Sequence, residues 1–237
     1  MINDKRVIAV VPARGGSKAI KDKNIASLGG KPLLAWPIIV AKATAVIDRV
    51  IVSTDSDKIA NVARAYGAEV YMRPDDLATD TSLVIDALRH LRDTLKSEGE
   101  SPDIFVLLEA TAPFRTPADI EGCVQTFIDK NLNSLGTFSE AHTNPHRAWT
   151  INDNIPETFI PGAVPWVPRQ KLPAAYELTG SIYVFDPVNM PDDTVSILYG
   201  RFGAHIVPEN RANDIDTEED LRLANALFES SVLTAFK

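Results

Sequence analysis

The chain has 237 residues, 45% of them hydrophobic, and a formal net charge of −8 at pH 7. This length suits one large α/β domain with a substantial core. The acidic balance argues against general binding to nucleic acids or anionic membranes, because such surfaces attract basic proteins. The single cysteine, Cys123, leaves no intramolecular disulfide, and no apolar run is long enough for a membrane span, so we expect a cytoplasmic protein.

The chain begins with a strand pattern that leads directly into a basic loop. Residues 7–11 form a short β-branched apolar run, which is typical of a strand buried on both faces. Gly15 and Gly16 follow it and allow positive φ angles and a close approach of the backbone to an anion. Five basic side chains lie between residues 12 and 31, namely Arg14, Lys18, Lys21, Lys23 and Lys31. The combination fits a nucleoside triphosphate, although a basic surface turn explains the loop alone equally well.

Hydrophobic periodicity predicts alternating helices and strands after this loop. The predicted strands are residues 49–55, 69–72 and 104–108. Four helices are predicted in alternation with them. The first covers residues 33–46, the second ends at Gly67, the third has the core face Val84, Ala87, Leu88 and Leu91, and the fourth starts at Pro117. We expect Thr79 or Asp80 to cap the third of these helices and Thr116 to cap the fourth. Repeated alternation of this kind predicts an α/β fold with a mostly parallel sheet and helices on both faces.

The alternation breaks between residues 138 and 175, where prolines recur and Trp149 and Trp166 lie among polar residues. We interpret this segment as an excursion from the main sheet that serves as an oligomer contact or a lid. A long connection is nearly as compatible with the pattern. A strand pattern returns at residues 180–185, and Thr217 is expected to cap a closing helix with an apolar face that includes Leu221, Ala224, Leu227 and Phe228.

Asp214 and Asp216 form a second candidate site. On an extended backbone their carboxylates lie on one face, while Ile215 points the opposite way into the core. Hard divalent cations such as Mg²⁺ are often held by one or two carboxylates together with substrate phosphates, so this pair suits a triphosphate site. A helix entry rich in capping acids is the alternative interpretation of the same residues. The four histidines show no spacing typical of zinc ligands.

Seven short motifs occur in order along nearly the whole chain. They are Pro12-Ala-Arg-Gly-Gly-Ser-Lys with Lys23-Asn24, Ser53-Thr-Asp, Arg73-Pro with Leu77-Ala, Leu107-Leu-Glu-Ala-Thr-Ala-Pro-Phe-Arg115, Pro168-Arg-Gln with Leu172-Pro, Gly180-Ser-Ile-Tyr183, and Asp214-Ile-Asp216-Thr. Each motif alone is weak, but the ordered set resembles the CMP-sialic acid synthetases, also called acylneuraminate cytidylyltransferases. The resemblance implies a Rossmann-like fold in a single nucleotidyltransferase domain over residues 1–237, in which residues 138–175 form a small dimerisation arm or lid.

The resemblance also implies which residues contact the nucleotide. It implies that Ala13, Arg14, Lys23 and Asn24 bind CTP, with Arg14 and Lys23 on its phosphates. It places Arg73 on the cytidine side. Among these residues, Arg14 and Lys23 are expected to take part in catalysis by stabilising the leaving pyrophosphate.

The sugar and metal residues follow from the same resemblance. Glu109 and Tyr183 fall at sugar-facing positions, and Arg169 lies where the arm of a homodimer reaches towards a neighbouring sugar site. Asp214 and Asp216 fall on the metal-binding pair, with Mg²⁺ as the expected cofactor and Asp216 as a catalytic residue. In two places the sequence departs from the family pattern: a glutamine is replaced here by Glu109, and an Asn-Gly pair is replaced by Thr179-Gly180.

We therefore expect a cytidylyltransferase that activates a 2-keto-3-deoxy acid sugar, a sialic-acid-like nonulosonate, with CTP to give the CMP-sugar and pyrophosphate. The alternatives are a related nucleotidylyltransferase for an octulosonate-type acid sugar and a non-catalytic nucleotide-sugar binding protein. An ionised glutamate only accepts hydrogen bonds, whereas glutamine also donates them. Glu109 thus predicts a substrate other than ordinary N-acetylneuraminate, one with different nitrogen substituents.

Overall fold

The computed structural model describes residues 2–229. In chain order its strands are β1 (Val7–Pro12), β2 (Ser27–Leu28), β3 (Lys31–Pro32), β4 (Arg49–Thr54), β5 (Glu69–Met72), β6 (Ile104–Leu108), β7 (Ser134–Glu140), β8 (Trp149–Asn152), β9 (Ile155–Thr158), β10 (Tyr176–Phe185) and β11 (Phe202–Ile206). Its helices are α1 (Ala35–Ala43), α2 (Asp57–Ala65), α3 (Val84–Ser97), α4 (Pro117–Asp129) and α5 (Glu218–Glu229). The main sheet has the strand order β11-β7-β10-β6-β1-β4-β5. β10 runs antiparallel to both neighbours and the other pairs are parallel, which confirms the predicted mostly parallel sheet.

Helices cover both faces of this sheet, as predicted. The interior strand β1 is apolar on both faces, so both of its faces must be shielded from water. Successive side chains of β1 point to opposite faces, and Val7, Ala9 and Val11 pack in one core with α1, α2 and α4. Ile8 and Val10 pack in the other core with α3. All five side chains are fully buried, and burial of each isoleucine or valine contributes about 1.5–3 kcal/mol. The continuous apolar run in the sequence therefore reflects the interior position of β1, between β6 and β4.

The closing helix α5 packs against the first third of the chain and forms a separate apolar cluster. The Phe228 ring lies 4.6 Å from the Trp36 ring and 5.2 Å from the Phe114 ring, measured between centroids. The predicted cap is confirmed, because Thr217 Oγ1 accepts from the Asp220 N–H at 3.2 Å and Asp220 accepts from the Thr217 N–H at 2.7 Å. This packing brings the segment just before α5 beside the basic loop that follows β1.

Helices α1, α2 and α4 lie close to their predicted positions. The predicted helix at residues 33–46 is shorter in the structure, where α1 spans Ala35–Ala43. Thr116 caps α4 through a reciprocal capping box with Asp119, and Pro117 occupies the first helical position, as predicted. None of the helices in residues 2–229 is both long and apolar enough to cross a membrane.

The predicted start of α3 is wrong. This helix begins at Val84 and has no side-chain cap, so neither Thr79 nor Asp80 caps it. Residues 79–82 instead form a turn of their own, in which the Thr79 N–H donates to Ser82 Oγ at 2.9 Å. The predicted core position Val84 is 37% exposed, and Ile85 is buried next to it. The other predicted core positions, Ala87, Leu88 and Leu91, are buried as expected, so the turn delays the helix and changes only the first position of its buried face.

The segment between residues 138 and 175 leaves the main sheet after Glu140. β7, which the sequence analysis does not predict, continues to that residue, so the excursion begins later than expected. β8 and β9 pair as a separate antiparallel hairpin, and its turn residues Asp153 and Asn154 both have positive φ, as a type I′ turn requires. We call residues 141–175 the arm. Exposed apolar side chains on the arm include Trp149, Ile151, Ile155, Phe159 and Trp166.

Candidate active site

Parallel strand ends bring the predicted site residues together at one edge of the sheet. Because β1, β4, β5 and β6 are parallel, the residues that follow them lie along the same edge. Arg14 follows β1, Arg73 follows β5 and Glu109 follows β6. From the far end of the sequence, the Ile215 N–H donates to the Thr111 carbonyl at 2.8 Å. This hydrogen bond attaches the carboxylate segment to the same edge.

Gly15 allows the loop after β1 to approach the end of β4. The Gly15 N–H donates to Asp55 Oδ1 at 3.0 Å, and a Cβ atom on Gly15 would lie 3.1 Å from Ser56 Cβ. A Cβ atom on Gly16 would meet nothing within 4 Å. Neither glycine uses the positive φ that it allows, and the left-handed residue of the loop is Asp22, with φ 54°. Close packing, and not backbone handedness, explains the glycine at position 15.

Ala13 and Asn24 hold the two ends of this loop. Ala13 is 2% exposed, and its N–H donates to the Ser53 carbonyl at 2.9 Å. Asn24 Nδ2 donates to the Arg14 carbonyl at 2.9 Å. Both residues therefore fix the backbone that carries the basic side chains.

An acidic residue from another loop pairs with two of these basic side chains. Asp80 Oδ1 lies 2.8 Å from Arg14 Nη1, and its Oδ2 lies 2.5 Å from Lys18 Nζ. Hydrogen bonds from Lys18 and then Arg14 lower the pKa of the Asp80 carboxyl below its usual value. The residue that the sequence analysis assigns to a helix cap is thus the counter-ion of the basic loop.

Arg73 lies almost fully buried beside the basic loop. Its N–H donates to the Thr54 carbonyl at 2.9 Å, its guanidinium lies 3.9 Å from Asp55 Oδ1, and 8% of the residue is exposed. Burial lowers the pKa of this guanidinium. Its Nε is buried and has no hydrogen-bond partner among residues 2–229. An incompletely paired buried arginine at the edge of a cleft favours an anionic or hydrogen-bond-accepting ligand.

Two adjoining cavities lie at this edge of the sheet. The first, which we call the Arg73 cavity, measures about 180 Å³ and is lined by Pro12, Arg14, Lys23, Asn24, Arg73, Leu77, Thr79, Ser82, Leu83, Val84, Glu109, Ala110 and Thr111. The second, the Tyr183 cavity, measures about 310 Å³ and is lined by Glu109, Ser139, Glu177, Leu178, Thr179, Gly180, Tyr183, Ala212 and Asp214. Glu109 lines both cavities, so it lies at their junction.

The electrostatic environment of Glu109 favours its neutral form. Burial raises the pKa of Glu109 to about 7, and Asp214 adds to the increase. The positive charge of Arg115 acts against this increase in the pKa of Glu109. Arg115 is 1% exposed, and its Nη2 donates to the Glu109 carbonyl. Burial, together with Glu109, also raises the pKa of the Tyr183 hydroxyl to about 12. Glu109 and Tyr183 therefore line the same cavity, at a point where negative charge is concentrated.

Lys23 joins the basic loop to the carboxylate segment. Its Nζ donates to Asp216 Oδ1 at 2.9 Å and to the Ile215 carbonyl at 3.1 Å. Ile215 is 1% exposed, whereas Asp214 and Asp216 on either side of it are exposed. This alternation confirms the predicted orientation of the three side chains. Residues almost two hundred positions apart thus form one site.

The carboxylate pair fits a hard divalent cation. Among the described residues, no group of three or more His, Cys, Asp and Glu side chains is arranged to hold a metal. Asp214 and Asp216 alone match the usual Mg²⁺ arrangement, in which one or two carboxylates act together with substrate phosphates. Both residues raise the pKa of Glu109, so negative charge is concentrated here. A bound cation would offset that charge. The donor set is therefore suited to Mg²⁺.

Arg169 lies away from these residues. It begins a short 3₁₀ turn of the arm, its side chain is 66% exposed, and its guanidinium lies 3.3 Å from Glu140 Oε1. Glu140 ends β7. Within one chain, therefore, Arg169 is the one predicted site residue that the described contacts leave outside the cluster.

A larger cavity of about 340 Å³ lies at the opposite edge of the sheet, near the residues that precede β6. Its charged side chains pair with one another: Arg92 Nε donates to Asp93 Oδ1 at 2.8 Å, and Arg92 Nη2 lies 3.4 Å from Asp192 Oδ1. Size alone does not make it the better candidate. The cleft between Arg14 and Asp214 has incompletely paired charges and a titratable group with a strongly shifted pKa, which are typical of functional sites.

Several residues of this site are not predicted from the sequence. Asp80, Arg115 and Glu177 are the main examples. Each makes a long-range contact: Asp80 with Arg14, Arg115 with Ser181, and Glu177 with the His142 N–H. Arg115 ends one of the seven motifs, which is a signal of importance but not of role. Asp80 and Glu177 lie in segments without a recognisable chemical pattern, so no local signal reveals them.

Known proteins resemble this chain over most of its length. The cytidylyltransferase family model matches residues 8–186. Post-translational flagellin modification protein B of Campylobacter coli is 32% identical over 97% of this chain and 97% of that protein. CMP-N,N'-diacetyllegionaminic acid synthase of Legionella pneumophila is 44% identical over 51% of this chain and 52% of that protein. N-acylneuraminate cytidylyltransferase of Streptococcus agalactiae is 30% identical over 90% of this chain and 51% of that protein.

Solved structures support the same fold. CMP:2-keto-3-deoxy-manno-octonic acid synthetase, solved with CTP, superposes with a TM-score of 0.70 over 96% of this chain and 100% of that chain, at 18% identity. At this identity the likeness shows the fold alone. The family match covers more than half of the chain, and the named relatives confirm the predicted resemblance to CMP-sialic acid synthetases. The chain belongs to the cytidylyltransferase family of nucleotidyltransferase enzymes.

Proposed function

We propose that this enzyme transfers the CMP group of CTP to a sialic-acid-like nonulosonate, a 2-keto-3-deoxy acid sugar. The observation that carries the proposal is the pair of adjoining cavities that share Glu109, one of them basic and the other acidic. The basic cavity suits the triphosphate of CTP. The acidic cavity adjoins it at Glu109 and offers hydrogen-bond acceptors to the hydroxyl groups of the second substrate. Relatives that act on N-acylneuraminate and on N,N'-diacetyllegionaminic acid carry the same class of activity in their names.

On the nucleotide side, the loop after β1 binds the triphosphate of CTP. Arg14 and Lys23 contact the phosphates, and the backbone fixed by Ala13 and Asn24 holds them in place. Arg73 holds the cytidine side, with its unsatisfied Nε available to an oxygen acceptor. Because preorganised cations stabilise charge that develops in the transition state, Arg14 and Lys23 assist departure of pyrophosphate.

The reaction is an in-line displacement at the α-phosphorus of CTP. The anomeric hydroxyl oxygen forms the new P–O bond, the bond from the α-phosphorus to its bridging oxygen breaks, and pyrophosphate leaves with that electron pair. Positioning and charge neutralisation dominate catalysis of this kind. Asp216, which faces Lys23 at 2.9 Å, accepts the proton of the hydroxyl. Asp214 and Asp216 would hold Mg²⁺, which when bound neutralises phosphate charge and acidifies the hydroxyl.

The sugar is proposed to differ from ordinary N-acetylneuraminate. Glu109 replaces the family glutamine and lies between the two cavities with Tyr183. Above its pKa of about 7, Glu109 is ionised and offers acceptors only, so there it favours hydroxyl, amide or ammonium donors on the sugar. The N,N'-diacetyl form named for one relative carries two acylated nitrogens, which supports a substrate with altered nitrogen substituents.

The proposed enzyme acts as a homodimer in the cytoplasm, where CTP is available. The exposed apolar side chains of the arm support a second copy as partner, because monomers rarely expose large apolar patches. Arg169 of the arm would then contact the sugar site of the neighbouring copy. This assignment explains why Arg169 lies apart from the cluster within a single chain.

The decisive experiment measures pyrophosphate release from CTP and Mg²⁺ with a panel of acid sugars. The panel contains N-acetylneuraminate, a diacetylated nonulosonate and an octulosonate. Release that is fastest with a nonulosonate is the expected result, and preference for the octulosonate would favour the related enzyme class instead. CTP binding without release from any sugar would favour a binding protein. Glu109→Gln should change the ranking of the sugars, and an unchanged ranking would remove Glu109 from selectivity.

A further inference from the structure

The carboxylate segment before α5 lacks regular secondary structure, so its geometry depends on individual contacts. Residues 212–216 belong to neither a helix nor a strand. The Thr111 carbonyl holds the Ile215 N–H at 2.8 Å, and Lys23 holds the Ile215 carbonyl at 3.1 Å. Both contacts hold the backbone on the C-terminal side of Asp214, and the chain that enters Asp214 from its N-terminal side is held elsewhere.

An ion pair anchors the N-terminal end of the same segment. Arg211 Nη2 lies 2.8 Å from Asp119 Oδ1. The second oxygen of that carboxylate, Oδ2, accepts from the Thr116 N–H at 2.9 Å and from the Thr116 hydroxyl at 2.8 Å. Asp119 is 5% exposed. One buried carboxylate therefore caps α4 with one oxygen and holds Arg211 with the other.

The geometry of this pair points to positioning more than to stabilisation. Buried ion pairs are poor stabilisers because desolvation offsets much of their attraction, whereas they fix the relative position of the segments they join. The Arg211 Nε is buried and has no hydrogen-bond partner in residues 2–229, so the pairing is incomplete. Arg211 and Asp214 are three positions apart, a span of at most about 10 Å. Displacement of Arg211 therefore reaches Asp214 directly.

We propose that Asp119 and Arg211 are positioning residues that aim the carboxylates of Asp214 and Asp216 into the cleft. The inference rests on the proposed function, because it assumes that these two carboxylates bind a divalent cation. Residues that orient metal ligands typically change metal affinity or activity about 10–100-fold when they are replaced. Neither Asp119 nor Arg211 is among the residues that line the two cavities, so they act through the segment alone.

The test compares Arg211→Met, which keeps the apolar stem, with Arg211→Lys, which keeps the charge. Arg222→Met is the matched control, because Arg222 makes an exposed ion pair with Glu219 on α5 at 3.5 Å. Binding of Mn²⁺ alone is followed by electron paramagnetic resonance, and the Mg²⁺ concentration for half-maximal pyrophosphate release is measured separately. Arg211→Met should weaken Mn²⁺ binding about 10-fold or more. Arg211→Lys should recover part of the loss, and Arg222→Met should match the wild type.

A double variant separates positioning from stability. Arg211→Met leaves Asp119 as an unpaired buried charge and should lower the melting temperature. Adding Asp119→Asn removes that charge while keeping an oxygen for the Thr116 cap, so the melting temperature should recover. Metal binding should stay weak in the double variant, because the anchor is still missing.

Two results would overturn the proposal. Wild-type Mn²⁺ affinity and Mg²⁺ dependence in folded Arg211→Met would show that the segment does not need the anchor. Recovery of metal binding together with the melting temperature in the double variant would reduce the pair to a structural role. A wild-type enzyme that releases no pyrophosphate with any acid sugar would refute the proposed function, while its Mn²⁺ titration would still decide the positioning role.

Discussion

Glu109 shows how the surroundings of a residue change the meaning of a substitution. As an ionised group it would differ sharply from the family glutamine, because it could not donate a hydrogen bond. Burial and the neighbouring Asp214 raise its pKa to about 7. Near and below this pH a large share of Glu109 is protonated, and a protonated carboxyl both donates and accepts, as glutamine does. Selectivity at this residue should therefore depend on pH.

The same pKa predicts how stability varies with pH. The folded pKa of about 7 exceeds the ordinary value of 4.5, so the folded protein binds more protons than the unfolded chain between these values. Stability is then lost as pH rises through this window, by on the order of 1–3 kcal/mol. Glu109→Gln removes this loss and should stabilise the metal-free protein at pH 8 but not at pH 4.5. Thermal unfolding with a chelator measures both differences, and equal differences at the two pH values would contradict the raised pKa.

Asp80 should compete with the triphosphate for Arg14 and Lys18. It pairs with both, at 2.8 and 2.5 Å, and exposed ion pairs of this kind are weak. Asp80→Asn should therefore tighten CTP binding by up to about fivefold. Asp75→Asn, on the same loop, makes the same change in net charge and serves as the control. Calorimetric titration with CTP gives both constants, and weaker binding in Asp80→Asn would mean that Asp80 holds the basic side chains in place for CTP.

At the scale of elements, local patterns predict the parts of the fold whose environment is uniform. β1 and β6 are continuous apolar runs because both of their faces are buried, and the Thr116-Pro117 pair specifies the start of α4. β7 escapes prediction because its sequence, Ser134–Glu140, mixes small and polar residues whose burial arises from its neighbours in the sheet. The ion pair between Arg14 and Asp80 likewise leaves no local sequence pattern, because the two residues are more than sixty positions apart.

The two loop glycines should respond differently to substitution. A Cβ atom on Gly15 would lie 3.1 Å from Ser56 Cβ, tighter than ordinary contact, whereas Gly16 faces open space. Gly15→Ala should push the loop away from β4 and raise the KM for CTP several-fold. Gly16→Ala is the matched control and should change the KM less. Steady-state kinetics at fixed sugar concentration compare them, and equal effects would show that packing against Ser56 does not position the loop.

The alternating segment before α5 predicts opposite effects for adjacent substitutions. Asp216→Asn removes a charged ligand from an exposed position and should lower kcat about 100-fold or more with little change in melting temperature. Ile215→Asp places a charge at a position that is 1% exposed and should destabilise the fold by several kcal/mol, on the order of 3–5. Melting temperature and turnover are measured on both variants. Equally stable variants would contradict the inward orientation of Ile215.

At the scale of the whole molecule, the site joins the two ends of the sequence. Lys23 and Asp216 are 193 positions apart and lie 2.9 Å from each other, and α5 packs against the loop region that follows β1. The chain has a net charge of −8, yet five basic residues are concentrated between residues 12 and 31. This local positive charge suits a polyanionic nucleotide. Binding of CTP should consequently depend on the closure of α5 onto the first third of the chain.

The arm supports a last prediction, on assembly. Trp166 is 83% exposed and Phe159 is 61% exposed, and buried aromatic side chains at interfaces often contribute 2 kcal/mol or more each. If a second copy covers the arm, Trp166→Ser should weaken the dimer about 30-fold or more and leave the melting temperature of the main sheet nearly unchanged. Leu223→Ser, which replaces an exposed apolar side chain on α5, is the control outside the arm. Sedimentation velocity over a range of concentrations measures the dissociation constant. A monomeric wild type, or a dimer that Leu223→Ser weakens as much as Trp166→Ser does, would rule out the arm as the dimer contact.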